Sequence, residues 1–231
     1  MFSQTADLYD AFYSWKDYEV EAERVHSAIE ARKLSPGRGL LDVACGTGHH
    51  LEFLKRWYDC QGCDLDPAML ALARARLPEL DLFEADMNNL DSGRAYDAVV
   101  CLFSSIGYAR DPGLPITAMA RHLVPGGVLL VEPWLTPEQF ETGKVGAIFV
   151  DREDVKACRM NSTSRDGRSS RLDFEYLVGR GGRVEHFTES HQVWLHTEAE
   201  YRGAFGAAGL EVELDPEGPM GRGLYIGLKA V

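Results

Sequence analysis

One stretch constrains this chain more than any other. Gly39 to Ala44 reads as a short buried strand carrying Asp42 near its end, and Gly46-Thr47-Gly48 then turns the chain into a helix with Leu51 and Leu54 on one side. Glycine is needed where the backbone bends sharply and lets a ligand come close. A strand, a glycine turn and a helix N-terminus in succession form a nucleotide-cofactor arrangement of an open α/β sheet.

The downstream sequence keeps the same rhythm. Cys60 to Asp64 reads as a second strand. Asp66 is placed as an N-cap, with Pro67 at the first helical position and the helix running to about Arg76. Leu80 to Glu84 is a third strand. Tyr96 to Phe103 is a fourth, its unbroken apolar run suiting a strand covered on both faces. A helix through Ile116 to Leu123 is expected to end at Pro125-Gly126-Gly127, with Val128 to Val131 as strand five. Strand and helix alternating in this way predict a mostly parallel sheet with right-handed crossovers.

The rhythm breaks between about Glu138 and His196. Leu172-Asp173-Phe174-Glu175-Tyr176 alternates with period two, and Asp166-Gly167 and Gly179-Arg180-Gly181-Gly182 are hairpin-turn signals. An antiparallel meander is expected there. Thr197 and Glu200 form a capping box that opens a last helix, Gly209 stops it, and two short strands follow near Leu210 to Leu214 and Gly223 to Leu228. Ahead of the first strand, Tyr18, Ala22, Val25 and Ile29 form a helical stripe. The organisation expected is a cofactor-binding core with an N-terminal helical lid over residues 1–137, an antiparallel insertion covering the substrate over 138–196, and a return to the core over 197–231. A chain of 231 residues, 45% hydrophobic and 26% charged, can bury one such core.

Bulk properties narrow the function. The formal net charge is −12 and no run of Lys and Arg is visible, which disfavours a nucleic-acid partner. No apolar stretch approaches the ~20 residues of a membrane helix. Met1 to Asp10 has no basic start before an apolar core, so no signal peptide is expected and the cytoplasm is the expected compartment. Five cysteines, an odd number, suit reduced thiols. Cys60-x-x-Cys63 has zinc spacing, but no second pair completes a site, and no metal is expected.

The cofactor is chosen by the residues around the glycine turn. An NAD fingerprint needs a third glycine where this chain has Leu51, and no basic cradle for a pyrophosphate is evident. S-adenosylmethionine (SAM) carries an ammonium and a carboxylate instead. Asp42 suits the ammonium, and the helix start near His50 suits the carboxylate. Asp64, ending the second strand, can accept from both ribose hydroxyls. Ala85-Asp86-Met87, after the third strand, offers a carboxylate and a backbone N–H to the adenine edge. Ala44, Gly46, Gly48, Leu65, Met69 and Leu102, with Tyr9 and Tyr18 from the N-terminal segment, complete the expected cofactor site.

Further segments give the chain a family likeness. Leu40 to Gly48, Phe103-Ser104-Ser105-Ile106-Gly107, Pro125-Gly126-Gly127-Val128, Val131-Glu132-Pro133-Trp134 and Gly221-Arg222-Gly223-Leu224 resemble bacterial amino-sugar N-methyltransferases. These are class I SAM-dependent enzymes that convert the 3-amino group of a dTDP-linked deoxysugar to dimethylamino. The resemblance runs from about Tyr9 to Leu228, and includes Lys16-Asp17-Tyr18 and the stretch from His186-Phe187 to His191. It implies a Rossmann-like α/β fold, a seven-stranded mostly parallel sheet flanked by helices, with a small antiparallel insertion after strand five. It also implies SAM as cofactor, a small nucleotide-linked amino sugar as substrate, and a homodimer as a plausible assembly. Another small amine or hydroxyl acceptor, or a non-enzymatic SAM-binding module, are the competing readings.

Ligands of such sheets bind beyond the carboxyl ends of the strands. Tyr108, after strand four, and Glu132, after strand five, are therefore candidates to contact the acceptor amine. His191 shares a face with Phe187 and Val193 and becomes a third catalytic candidate through the resemblance, whereas His186 points the other way and His122 reads as structural. Tyr13, Ser105 and Trp134 are expected around the substrate. Arg222, between two glycines, is the candidate for an anionic phosphate, because an arginine fork matches phosphate oxygens. Tyr9, Tyr13 and Trp15 make an aromatic N-terminal cluster that serves either as a lid or as plain packing.

Overall fold

The computed structural model describes residues 6–231 and leaves out the side chain of Asp7; the leader expectation for Met1 to Asp10 therefore falls in part outside the described residues. In chain order come α1 (Ala6–Phe12), α2 (Tyr18–Arg32), β1 (Gly39–Val43), α3 (His49–Leu54), β2 (Asp59–Asp64), α4 (Pro67–Arg76), β3 (Asp81–Glu84) and β4 (Tyr96–Cys101). Then follow α5 (Gly113–Arg121), β5 (Leu123–Val131), β6 (Val145–Asp151), β7 (Lys156–Asp166), β8 (Ser169–Arg180), β9 (Arg183–Trp194), α6 (Glu198–Ala207), β10 (Leu210–Asp215) and β11 (Leu224–Lys229). Short 3-10 turns occupy Met87–Asn89 and Ser105–Tyr108.

The main sheet has seven strands in the order β10-β11-β5-β4-β1-β2-β3. The pairs from β3 across to β5 are parallel, and β11 and β10 close the far edge antiparallel. The order reverses between β1 and β4, and that switch point is where a crevice opens at the strands' carboxyl ends. Because side chains alternate across a strand, the sheet feeds two cores. Leu41, Val43, Val99, Leu129 and Val131 pack with residues of α5 and α6 on one face. Leu40, Ala98, Val100 and Leu130 pack with residues of α2, α3 and α4 on the other.

The helix starts follow their caps. Asp17 accepts from Val20 N, and Asp66 accepts from Ala68 N ahead of Pro67. Thr197 and Glu200 form the reciprocal capping box, and Gly209 leaves α6 at φ +76°. One boundary differs from expectation. The fifth helix ends at Arg121, and β5 already begins at Leu123, so Pro125-Gly126-Gly127 lies inside a strand. The parallel register between β4 and β5 shifts there. Gly126 takes φ +75°, and a Cβ on Gly127 would meet the carbonyl oxygens of Asp97 and Tyr96 at 3.1 and 3.2 Å. The glycines serve an irregular crossing rather than a helix stop.

β6 to β9 form a separate four-stranded antiparallel sheet. Its inner face carries Val150, Ala157, Phe174, Tyr176 and Val178, which bury Leu8, Ala11 and Phe12 of α1. The N-terminal helix is thereby clamped against the insertion. Cys60 and Cys63 both lie on β2, and all five cysteines are free. Among the described residues no cluster of His, Cys, Asp or Glu is arranged to hold a metal, and no helix is long and apolar enough to cross a membrane.

Candidate active site

The crevice at the switch point divides into three chambers that share walls. The first, about 900 Å³ with its open mouth included, is lined by Tyr9, Ala44, Gly46, Asp64, Leu65, Met69, Ala85, Asp86, Met87, Ser105 and Tyr108 among others. The second adjoins it through Ala44 and Gly46 and is bounded by Tyr18, Asp42, His50, Leu102 and Phe103. The third, about 950 Å³, lies under the antiparallel sheet and is bounded by Tyr13, Phe103, Trp134, Arg159, Phe174, His191 and Arg222. Tyr9 and Ser105 border all three.

The backbone is strained where these chambers meet. Ala44 (φ +60°), Phe103 (φ +51°) and Ser104 (φ +61°) are the described non-glycine residues in the left-handed region, and all three stand at the carboxyl ends of β1 and β4. Such conformations cost about 1–3 kcal/mol each and persist only where the surroundings hold them. Here Glu132 Oε2 accepts from Phe103 N at 2.7 Å, Ser104 Oγ donates to Pro133 O at 2.7 Å, and Arg222 Nη1 donates to Ser104 Oγ at 3.0 Å.

Asp42 is the sharpest feature of the second chamber. It is 2% exposed, and its Oδ2 has no hydrogen-bond partner among the described residues. Burial, and then the Asp64 carboxylate, push its carboxyl well above the usual range. A buried carboxylate in that state is suited to a cationic guest. In the first chamber Asp64 accepts from Gly46 N at 2.8 Å and from Asp66 N at 2.8 Å, which fixes its carboxylate at the rim and binds the glycine turn to β2. Asp86 accepts from Asn88 N at 2.9 Å. A buried carboxylate with an unmatched oxygen, a carboxylate fixed at the rim and an acidic 3-10 start after β3 are groups complementary to the ammonium, the ribose and the adenine edge of SAM.

Of the cofactor residues expected from sequence, Gly48 alone lines none of these chambers. It takes φ +81° before α3, and a Cβ there would meet Leu77 at 3.1 Å and Ala73 at 3.3 Å, so its role is close packing against α4. His50 borders the second chamber, but its Nε2 lies 2.9 Å from Glu21 Oε2 and is engaged there. α3 has only six residues, so it offers a carboxylate a weaker N-terminal field than a longer helix.

Two polar clusters tie the N-terminal segment over the cofactor chambers. Asp10 accepts from Thr47 Oγ1 at 2.7 Å and from Arg76 Nη2 at 2.5 Å, and lies 3.1 Å from His49 Nε2. Burial would raise its carboxyl, yet the contacts to His49, Thr47 and Arg76 draw it down to about 2. Lys16, its side chain fully buried, lies 2.9 Å from Glu21 Oε2 and 3.9 Å from the centroid of the Phe103 ring. Burial pushes Glu21 up, and its bonds to His50 and Lys16 more than offset this, holding it below its ordinary value. The aromatic cluster belongs to the same cover: Tyr9 and Tyr13 pack at 4.6 Å, and Tyr13 meets Phe103 edge-on at 5.2 Å.

The third chamber gathers the expected substrate residues Tyr13, Ser105, Trp134 and Arg222. It also contains two of the three catalytic candidates. Tyr108 OH and His191 Nδ1 are 2.7 Å apart. Burial raises the Tyr108 hydroxyl, so it stays protonated at neutral pH. Glu132, the third candidate, lines none of the chambers. It is 1% exposed and props the strained Phe103 backbone from behind the wall. Burial raises its carboxyl, against the pull of Phe103 N–H, Arg222 and Lys16. His186 lies on the outer face, 2.7 Å from Glu175, and His122 is buried beside Ala118 O and Ser92 N.

Sequence reasoning missed Arg159. It is 6% exposed on β7, donates to Tyr13 OH at 3.2 Å, and stacks over Phe12, Tyr13 and Phe174. With Arg222 it gives the third chamber a second guanidinium. The signal available was period-two alternation, Ala157-x-Arg159-x-Asn161, on the inner side of the insertion.

Residues 40–127 match a family described as a methyltransferase domain. A Streptomyces venezuelae dTDP-3-amino-3,4,6-trideoxy-alpha-D-glucopyranose N,N-dimethyltransferase is 43% identical, covering 97% of this chain and 98% of that protein. A Streptomyces fradiae dTDP-3-amino-3,6-dideoxy-alpha-D-glucopyranose N,N-dimethyltransferase is 41% identical over 97% of this chain and 91% of its own length. Among solved structures, Streptomyces venezuelae DesVI superposes with a TM-score of 0.92 at 42% identity, over 97% of this chain and 98% of its own. SAM-bound CalS10, an amino pentose methyltransferase from Micromonospora echinaspora, gives 0.87 at 38% identity, over 96% and 97%.

Proposed function

Because this chain belongs to the bacterial dTDP-amino-sugar N,N-dimethyltransferases, we propose that its acceptor is the 3-amino group of a dTDP-linked deoxysugar. It is a SAM-dependent methyltransferase that acts on the amino group of such a sugar nucleotide. The single observation that carries the assignment of sites is the continuity of the chambers. A buried, unmatched carboxylate stands at one end, two guanidiniums stand at the other, and Tyr9, Ser105 and Tyr108 stand between.

SAM supplies a methyl group already activated on a sulfonium, so the protein's task is position and exclusion of water. Asp42 holds the ammonium, Asp64 the ribose, and Asp86 with the Met87 backbone the adenine edge. Tyr9, Tyr18 and Leu102 close the slot. The acceptor's sugar lies against Tyr13, Ser105 and Trp134, with its amine at Tyr108. Arg222 and Arg159 hold the diphosphate. Their local charge offsets the long-range repulsion that a net charge of −12 exerts on an anionic substrate. The insertion over residues 138–196 covers the substrate, and residues 1–137 and 197–231 make the cofactor core.

The remaining parts of the reading concern assembly and compartment. The outer face of the insertion exposes Phe149, Met160, Leu177 and Val184, an apolar stripe that supports a homodimer through that sheet. Free thiols support the cytoplasm. The functional test is incubation with SAM and dTDP-3-amino sugars. Mass increments of one and two methyl groups are expected. Methylation only of non-nucleotide amines or hydroxyls would move the acceptor elsewhere, and SAM binding without turnover on any acceptor would make this a binding module.

A further inference from the structure

We propose that Tyr108, His191 and Glu189 form a conduit that takes the proton from the bound ammonium acceptor before each methyl transfer, with Glu189 as the residue that positions His191. The proposal rests on the function given above. An amine attacks only with a free electron pair, and an amino sugar at neutral pH is largely protonated. Each transfer leaves a new ammonium, so a dimethylating enzyme must shed a proton twice per product.

The geometry supplies a route. Tyr108 OH is 2.7 Å from His191 Nδ1, and both side chains border the acceptor chamber. His191 Nε2 lies 3.7 Å from Glu189 Oε2, within ion-pair reach and longer than a hydrogen bond. Tyr176 OH donates to the same Glu189 oxygen at 3.2 Å. The side chains of His191 and Glu189 are 2% and 8% exposed, so their interaction is shielded from bulk solvent. Glu189 and His191 are two residues apart on β9 and therefore share the inner face. Phe174 packs edge-on against the imidazole at 5.2 Å. The ionisable groups that face this chain of contacts from the neighbouring elements include Tyr9 on α1, Tyr13 beyond it, Arg159 on β7, Tyr176 on β8, Asp64 at the end of β2 and Arg222 before β11.

A carboxylate beside Nε2 favours the tautomer that carries its hydrogen there, which leaves Nδ1 free to accept. The ammonium N–H bond then breaks and its proton joins the Tyr108 oxygen. The Tyr108 O–H bond breaks in the same movement and that proton joins His191 Nδ1. The electron pair stays on the amine nitrogen. His191 becomes an imidazolium facing Glu189, and the proton returns to water by way of Tyr108, which is 38% exposed. Burial that keeps the Tyr108 hydroxyl protonated suits it to relay a proton rather than to act as a phenolate.

The test uses the full chain with saturating SAM and a dTDP-3-amino sugar, and reads kcat and KM across pH. Glu189→Gln is expected to lower kcat at neutral pH roughly tenfold, and Tyr108→Phe about a hundredfold, the lower end of general-base effects. KM for both substrates should stay within about threefold of the parent enzyme. Both deficits should shrink at alkaline pH, where the acceptor arrives already neutral, and the double variant should be no slower than Tyr108→Phe alone. A purely structural Glu189 predicts instead a deficit independent of pH. A parent enzyme that dimethylates while Tyr108→Phe keeps its full kcat at neutral pH overturns the conduit and spares the assigned function. A parent enzyme inert towards every dTDP-amino sugar overturns both. Should Glu189→Gln fail to fold, the Tyr108→Phe profile alone decides.

Discussion

Replacing Asp42 by Asn separates the cost of a buried charge from its use. Asp42 is buried with an oxygen unmatched among the described residues, and burial with the Asp64 carboxylate raises its pKa above the ordinary 3.8. A carboxyl whose folded pKa is raised loses stability as pH climbs from its unfolded value through its folded one. At neutral pH, well above its unfolded value, this carboxyl therefore penalises the fold, and Asn removes that penalty while keeping the shape. The free Asp42→Asn protein should melt at or above the temperature of the parent. Cofactor affinity should move the other way. Losing a hydrogen bond to a charged group costs about 1.5–3 kcal/mol, or roughly a 10- to 150-fold rise in Kd. At a SAM concentration about 100 times the parent's Kd, the parent gains about 2.7 kcal/mol, whereas a variant bound tenfold to a hundredfold more weakly gains about 1.4 to 0.4. For a chain of this size that separates a melting shift of roughly 5–10 °C from one of about 1–5 °C. Differential scanning fluorimetry with calorimetric titration of SAM reads both quantities. An Asp42→Asn protein that melts lower when free, yet binds SAM within twofold of the parent, would refute the assignment of this carboxylate to the ammonium.

Three further outcomes follow from other parts of the site. Arg222→Ala should weaken dTDP binding roughly tenfold or more while leaving the SAM Kd unchanged; equal dTDP affinity by titration would remove Arg222 from the phosphate site. Gly62→Ala should cost about 1–3 kcal/mol by overpacking, because the new Cβ would meet Leu51 at 2.7 Å and Leu82 at 2.9 Å; an unchanged urea midpoint would contradict the packing. Asp10 is held down to about 2, so its contribution is present above its ordinary 3.8 and fades as pH falls from there through about 2. Asp10→Asn should flatten that acid limb in a pH-dependent unfolding series and quicken SAM release in stopped flow, and an unaltered limb would argue against the clasp.

The lining of the first two chambers was legible because its determinants are local. Asp42 and Asp64 stand at the ends of strands that announce themselves, Gly46 and Asp86 lie just past such ends, and a capping Asp66 with Pro67 fixes where the next helix begins. The insertion was legible through its hairpin glycines, with Gly167 at φ +57° and Gly181 at +58° where the strands reverse. The third chamber was harder to read, since its groups come together over long sequence separations. Arg159 meets Tyr13 across 146 positions, and the alternation around it marks a face of β7 without saying what packs against that face. Glu132 stands away from the three chambers for a related reason. A carboxylate after strand five looks like a group aimed at the ligand, but the chain turns it back to brace the left-handed Phe103. Pro125-Gly126-Gly127 misled through ambiguity, because the residues that stop a helix also let a strand cross its neighbour out of step.

The short first helix has one side on the antiparallel insertion, through Leu8 and Phe12, and another on the glycine turn, through Asp10. Tyr9, between them, borders both the first chamber and the third. One roof beam therefore serves two rooms. On the function proposed above, lifting it to exchange spent donor for fresh would open the acceptor's room as well, because the same helix closes both.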